Sequence, residues 1–153
     1  MSIVLADKSN SCVVRQAAGL QLKNCLTARN SFLKAECQKR WLFLAQHLRK
    51  TVYERLLSTL GTESINPSCA AQCIAYICAA ELLSSESEAT VINNTFDEQL
   101  LAVIRLCEPD INEPTKLAAM EAIRFICEEI VGLSHQFEIL EIMYLSIVLF
   151  RTQ

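Results

Sequence analysis

Apolar residues recur at steps of three and four along most of the chain, the period of helices with one buried face. Over residues 11–27, Val14, Ala17, Ala18, Leu22, Cys25 and Leu26 share a face, and Asn10 or Ser11 can cap its start. Asn30-Ser31 supplies the next cap signal. Residues 32–44 and 45–60 then read as a helix with a break near Ala45, in which Leu48, Val52, Leu56 and Leu60 are spaced by fours. Gly61 stands where a C′ glycine ends a helix. Asn66-Pro67 predicts an N-cap followed by proline in the first turn of a helix over 68–82, whose Ala- and Cys-rich sequence permits close packing. Residues 83–94, with Ser84-Ser85-Glu86-Ser87-Glu88, are polar and weakly periodic and predict a junction. Thr95-x-x-Glu98 is a capping box that opens a helix to about Cys107. After a proline-bearing turn over 108–114, residues 115–131 are strongly periodic, with Leu117, Met120, Ile123, Cys127 and Ile130 on one side and Gly132 closing the helix. A last helix over 134–150 is apolar on nearly all sides, which requires neighbours on more than one face.

Two of these helices open alike. Val14-Arg15-Gln16-Ala17-Ala18-Gly19-Leu20 and Thr115-Lys116-Leu117-Ala118-Ala119-Met120-Glu121 each place a basic residue two positions before an Ala pair, after a polar turn with Asp7 or Asp110 upstream. Ala70-Ala71-Gln72-Cys73-Ile74 is a weaker third version. Short antiparallel helix pairs with Asp before the turn and Arg or Lys after it resemble HEAT repeats, units of roughly 40–47 residues that stack into a solenoid. The expected fold is therefore all-α, a HEAT-repeat α-solenoid built as a right-handed superhelix of antiparallel helix pairs.

Composition narrows the function. The 153 residues are 52% hydrophobic and 20% charged with three Gly and three Pro, which suits long helices with few turns. A net charge of −3 without a basic stripe disfavours nucleic acid. The apolar stretch at the N-terminus is too short for a secretion signal and lacks its leading positive charge, so an intracellular protein is expected. Residues 139–150, interrupted only by Glu141 and Ser146, fall short of the roughly 20 residues that span a bilayer, so no membrane insertion is expected.

Candidate chemistry is sparse. Of the eight cysteines, Cys12, Cys25, Cys37, Cys69, Cys73, Cys78, Cys107 and Cys127, none forms Cys-x-x-Cys, and the Cys69-x3-Cys73-x4-Cys78 group has no nearby His. Core packing is the better reading, with no metal and no cofactor expected. His47 and His135 fall on different helices, and no nucleophile elbow or phosphate-cradling glycine loop occurs, so no enzyme and no catalytic residues are expected. Glu128-Glu129 and Glu138 with Glu141 read as solvated helix faces, and Trp41 as a packing anchor between helices.

The segment Val14-Arg-Gln-Ala-Ala-Gly-Leu-Gln-Leu-Lys-Asn-Cys-Leu-Thr27, then Gln38-Lys-Arg-Trp-Leu42, Leu57-Ser-Thr-Leu-Gly-Thr-Glu63 and Pro67-Ser-Cys-Ala-Ala-Gln-Cys73, resembles in order and spacing the N-terminal region of the importin-beta (karyopherin-beta) family. The likeness divides the chain into importin-beta-like HEAT repeats over 1–82, a polar junction over 83–94, and a later repeat plus the first helix of the next over 95–153. It departs from the family in that the first helix, which precedes the Ala-Gly-Leu-Gln helix, is expected to be missing, with Met1 inside the first repeat, and in lacking about two repeats between Leu82 and Asn93. What the resemblance implies is a nuclear transport receptor found in cytoplasm, nucleus and at nuclear pores. Its partners would be the GTPase Ran in its GTP form and phenylalanine-glycine nucleoporins, with importin alpha or cargo bound only through repeats absent here. The implied Ran contacts are Gln21, Lys23, Asn24 and Thr27 on one inner helix and Gln72 and Tyr76 on the next, with a solvated face as the alternative. Leu100, Leu101 and Ile104 are placed for a nucleoporin phenylalanine, with plain core as the alternative. A HEAT scaffold that has lost transport activity is the other functional reading. An exposed apolar patch at residues 139–150 would make the chain marginally stable or self-associating.

Overall fold

The computed structural model describes residues 1–87 and 95–133. Within them the chain forms α1 (Ser2–Ala6), α2 (Cys12–Leu26), α3 (Ser31–Phe43), α4 (Gln46–Thr59), α5 (Cys69–Ser87), α6 (Thr95–Arg105) and α7 (Glu113–Leu133), and no strand occurs among the described residues. Successive helices pair as α1 with α2, α4 with α5 and α6 with α7, and each pair packs on the next through α5. A helix ahead of the Ala-Gly-Leu-Gln helix, expected to be missing, is present as the short α1, held because Leu5 is fully buried and α1 packs on α2 and α4. This is the all-α, HEAT-type solenoid. The predicted last helix over 134–150, and with it the apolar patch at 139–150, lies outside the described residues.

Local chemistry sets the helix limits. Ser11 Oγ accepts the Val14 N–H at 3.4 Å and caps α2, and Asn30 Oδ1 accepts the Leu33 N–H at 3.2 Å and caps α3. The break expected near Ala45 is present, because Leu44 and Ala45 are extended with ψ of 143° and 138°. Gly61 turns the chain with φ 76°, and a Cβ there would stand 2.5 Å from the Thr115 backbone nitrogen. Glycine thus serves both the turn and the close approach of α7.

Helix α5 is the core of the structure. Ile74, Ile77, Ala70, Ala71, Cys73 and Cys78 are fully enclosed by α2, α4, α6 and α7. At Gly19 a Cβ would come 2.7 Å from Cys69 Cβ, so the absence of a side chain lets α2 lie against α5. Tyr53 of α4 reaches over the top, its hydroxyl donating to the Gln99 carbonyl of α6 at 2.8 Å.

The start of α5 differs from expectation. Pro67 follows a cis peptide and stands before the helix, while Ser68 Oγ accepts the Ala71 N–H at 3.0 Å as the cap. The Glu63 carboxylate accepts the Cys69 and Ala70 N–H groups at 3.1 and 3.2 Å and the Ser68 hydroxyl, and Glu121 accepts the Ser68 N–H at 3.0 Å. A carboxylate brought from the preceding turn outcompetes an asparagine two positions upstream because its charge complements the helix dipole. Helix α5 also runs on to Ser87, into the predicted junction. Thr95 is already helical in α6, and α7 continues through Gly132 to Leu133.

The buried face of α7 is rotated from the predicted one. Ala119, Ala122, Ile123, Ile126 and Ile130 face α5, while Leu117 and Met120 are exposed. Two alanines allow closer approach to the small-residue surface of α5 than Leu117 and Met120 would. The cysteines divide similarly: Cys37, Cys69, Cys73 and Cys78 pack in the interior, whereas Cys12 and Cys25 lie at the surface.

The repeated basic residues have equivalent tasks. Arg15 Nε donates to the Leu5 carbonyl at 2.7 Å and its Nη1 to the Thr62 carbonyl at 2.9 Å, tying α1 and α2 to the turn before α5. Lys116 Nζ donates to the Pro109 carbonyl at 2.8 Å, across the turn between α6 and α7. Trp41 anchors α3 as predicted: its Nε1 donates to Glu81 at 2.9 Å, and Glu81, 3% exposed, also pairs with Arg49 of α4.

Two stability effects are expected. Gly19→Ala should lower unfolding free energy by about 1–3 kcal/mol, as overpacking does, and adding Cys69→Ala should not restore it, since the conflict is with Cys69 Cβ and not with Sγ. Glu81→Gln leaves Arg49 without a counter-charge in a part-buried site and should cost about 3 kcal/mol, whereas Trp41→Phe should cost about 1 kcal/mol for its lost hydrogen bond. Urea unfolding followed by circular dichroism checks both series.

Candidate partner-binding surface

A helix enclosed on nearly every side can meet a partner only where its cover is open. From Ser68 to Leu82 every residue of the α5 segment is buried except Gln72 and Tyr76. These lie four positions apart and so share one face. Both were expected at a partner surface, and the structure brings them into one half-buried polar stripe.

The flanks of that stripe come from three helices. On α2, Lys23 is close enough to the Cys69 and Cys73 thiols to act on them electrostatically, and those thiols bracket Gln72 in sequence. Lys23 is half-buried in the last turn of α2, where the helix dipole favours a cation. Gln21 and Asn24 are exposed on the same helix, and Thr27, half-buried, is its C-cap, with its N–H bonded to the Lys23 carbonyl at 3.1 Å. On α7, Glu129 and Glu128 lie near enough to the Tyr76 hydroxyl to oppose its ionisation, adding to the larger effect of burial, which raises it above the ordinary tyrosine value. On α3, Lys34 Nζ meets Glu129 Oε2 at 2.6 Å. Periodicity gave no sign of Lys34 or Glu129 at this surface, because their contact joins positions 95 apart.

The three leucine-type positions of α6 do not form one exposed slot. Leu100 and Ile104 pack in the core with Phe96 and Val103, and Leu101, 51% exposed, points away from them. The core alternative applies to the first two. An 11-residue helix wedged against both α5 and α7 needs a wide apolar face, and Leu100 and Ile104 complete it.

Burial also fixes the state of the thiols. Desolvation pushes Cys78 up to about 12, and Cys73 and Cys69 are likewise raised chiefly by burial. The thiolate is the nucleophilic form, so these thiols are poor nucleophiles in the folded chain. Among the described residues no three His, Cys, Asp or Glu side chains converge as a metal site would require.

Comparison with known proteins agrees with this architecture. The importin-beta N-terminal domain family matches residues 1–62. Importin subunit beta-1 of Schizosaccharomyces pombe is 32% identical over 130 residues, covering 82% of this chain and 14% of its own length. Importin subunit beta-1 of Arabidopsis thaliana is 29% identical over 127 residues, covering 82% of this chain and 13% of its own. The chain therefore spans about a seventh of the length of these relatives.

Thiol chemistry offers a direct check. At pH 8 an aromatic disulfide reagent should modify Cys12 and Cys25 readily and spare Cys73 and Cys78 until the chain unfolds. In the unfolded chain these thiols ionise near 9, while the folded chain holds their protons, so stability should fall as pH rises above about 9 toward 12. Equal denaturation midpoints at pH 8 and pH 10 would contradict that sign.

Proposed function

We propose that this chain, which belongs to the importin-beta family, is a protein-binding segment of a karyopherin-type transport receptor that engages Ran in its GTP form. The observation that carries the reading is the half-buried polar pair Gln72 and Tyr76 in the otherwise buried span Ser68–Leu82, flanked by Lys23 of α2. A partner laid along it would take hydrogen bonds from Gln72, Tyr76, Asn24 and Gln21, with Thr27 at the edge. Such a surface discriminates by shape and hydrogen bonding and performs no catalysis. Cargo or importin alpha would need further repeats. The expected location is cytoplasm and nucleus, with passage through the pores.

Phenylalanine-glycine nucleoporins are the second class of partner proposed, but only Leu101 of the three α6 candidates can contribute. The burial of Leu100 and Ile104 favours the alternative in which the chain is a HEAT scaffold without transport activity.

The deciding experiment is retention of Ran loaded with a non-hydrolysable GTP analogue, with the GDP form as control. The reading expects selective retention of the GTP form and a loss of about tenfold or more in affinity for the Gln72→Ala, Tyr76→Ala double variant with its melting checked in parallel. Equal retention of both nucleotide forms, or none, would falsify it; nucleoporin binding without Ran would favour the scaffold.

A further inference from the structure

Helix α3 is held unequally at its two ends. Its C-terminal half carries Cys37 and Trp41, both buried, and Trp41 is tied to the interior Glu81, itself paired with Arg49. Its N-terminal half carries Phe32, 71% exposed, and Leu33, also exposed. Among the described residues, the side-chain bond that ties this half to another helix is Lys34 to Glu129 of α7. The side chains of that pair keep 31% and 20% of their exposure, within reach of solvent ions and of a partner's charges. Glu129 also acts on the Tyr76 hydroxyl, so the pair stands beside the open stripe of α5.

The two ties differ in what opening them requires. Separating Arg49 from Glu81 strands a charge in the interior. Separating Lys34 from Glu129 returns two partly exposed charges to water, which is a small and salt-dependent change. We propose that the Lys34–Glu129 pair is a latch: it closes the first half of α3 against α7 beside Gln72 and Tyr76, and a partner that engages this stripe opens it by taking over one of the two charges. The proposal rests on the reading of that stripe as the GTPase-binding surface. A latch closed most of the time lowers apparent affinity in proportion to the closed fraction, so removing it should strengthen binding.

Hydrogen exchange on the full chain tests the latch without any partner. Lys34→Met and Glu129→Ala should each speed exchange of the amides at residues 34–37 by about threefold. The charge-swapped pair Lys34→Glu with Glu129→Lys should restore the slow rate. Arg124→Gln, which removes the exposed Arg124–Glu128 pair on α7, should leave it unchanged. Unchanged exchange in both single variants, or failure of the swap to restore it, overturns the latch. With Ran in its GTP form, the single variant that keeps the charge the partner takes over should bind more tightly, by about the same factor as exchange is accelerated. Weaker or unchanged binding by both single variants would show that the pair is merely a contact and would overturn the latch. Absence of binding by wild type and variants alike overturns the GTPase reading, while the exchange data still decide for or against the latch.

Discussion

A helix buried on almost every side must have its ends and its few polar groups satisfied by its neighbours, and α5 meets that condition with carboxylates. Its first N–H groups are taken by Glu63 and by Ser68 Oγ, and Glu121 of α7 accepts the N–H of Ser68 itself. Four or more unmatched N–H groups in the interior would cost far more than the helix gains from any one packed side chain. The same carboxylates fix positions: Glu63 holds the turn that follows α4, and Glu121 holds the first half of α7. Toward its other end Glu81 gathers Trp41 of α3 and Arg49 of α4. The capping and charge pairing of one helix therefore locate three others, α3, α4 and α7.

Small residues make this arrangement feasible. Alanine and cysteine on α5, Gly19 on α2, and Ala119 and Ala122 on α7 let helix axes come close enough for the half-buried carboxylates of Glu63 and Glu121 to reach backbone amides. Cysteine serves here as a compact apolar side chain, and burial that raises its ionisation keeps it neutral. Arg15 and Lys116, at matching places in two helix pairs, each return to a carbonyl of the preceding segment. The device closes the turn of each helix pair, and in the first pair Arg15 also reaches Thr62 before α5, joining that pair to the next.

The same enclosure shapes the surface available to other proteins. Covering α5 from α2, α3, α4, α6 and α7 leaves Gln72 and Tyr76 half-buried between Ser68 and Leu82, with Lys23 of α2 and Glu129 of α7 near them. Relatives named importin subunit beta-1 align with 82% of this chain, and this chain represents 14% and 13% of theirs.

Periodicity and punctuation determined α2 to α7, though not the short α1: the caps at Ser11 and Asn30, the break at Ala45, the glycine turn at Gly61 and the paired Ala motifs after Arg15 and Lys116 were all legible because each acts within a few residues of chain. The likeness to importin-beta was legible too, from ordered segments such as residues 14–27. Tertiary structure alone decided which face of α7 is buried, since Leu117 and Met120 are as apolar as their neighbours and only the close-packed surface of α5 selects the alanines. It also decided that Leu100 and Ile104 belong to the core, that Glu63 displaces Asn66 at the start of α5, and that Lys34 meets Glu129. Each of these depends on which helices become neighbours in space, and a period of 3.6 residues fixes a face without naming what will cover it.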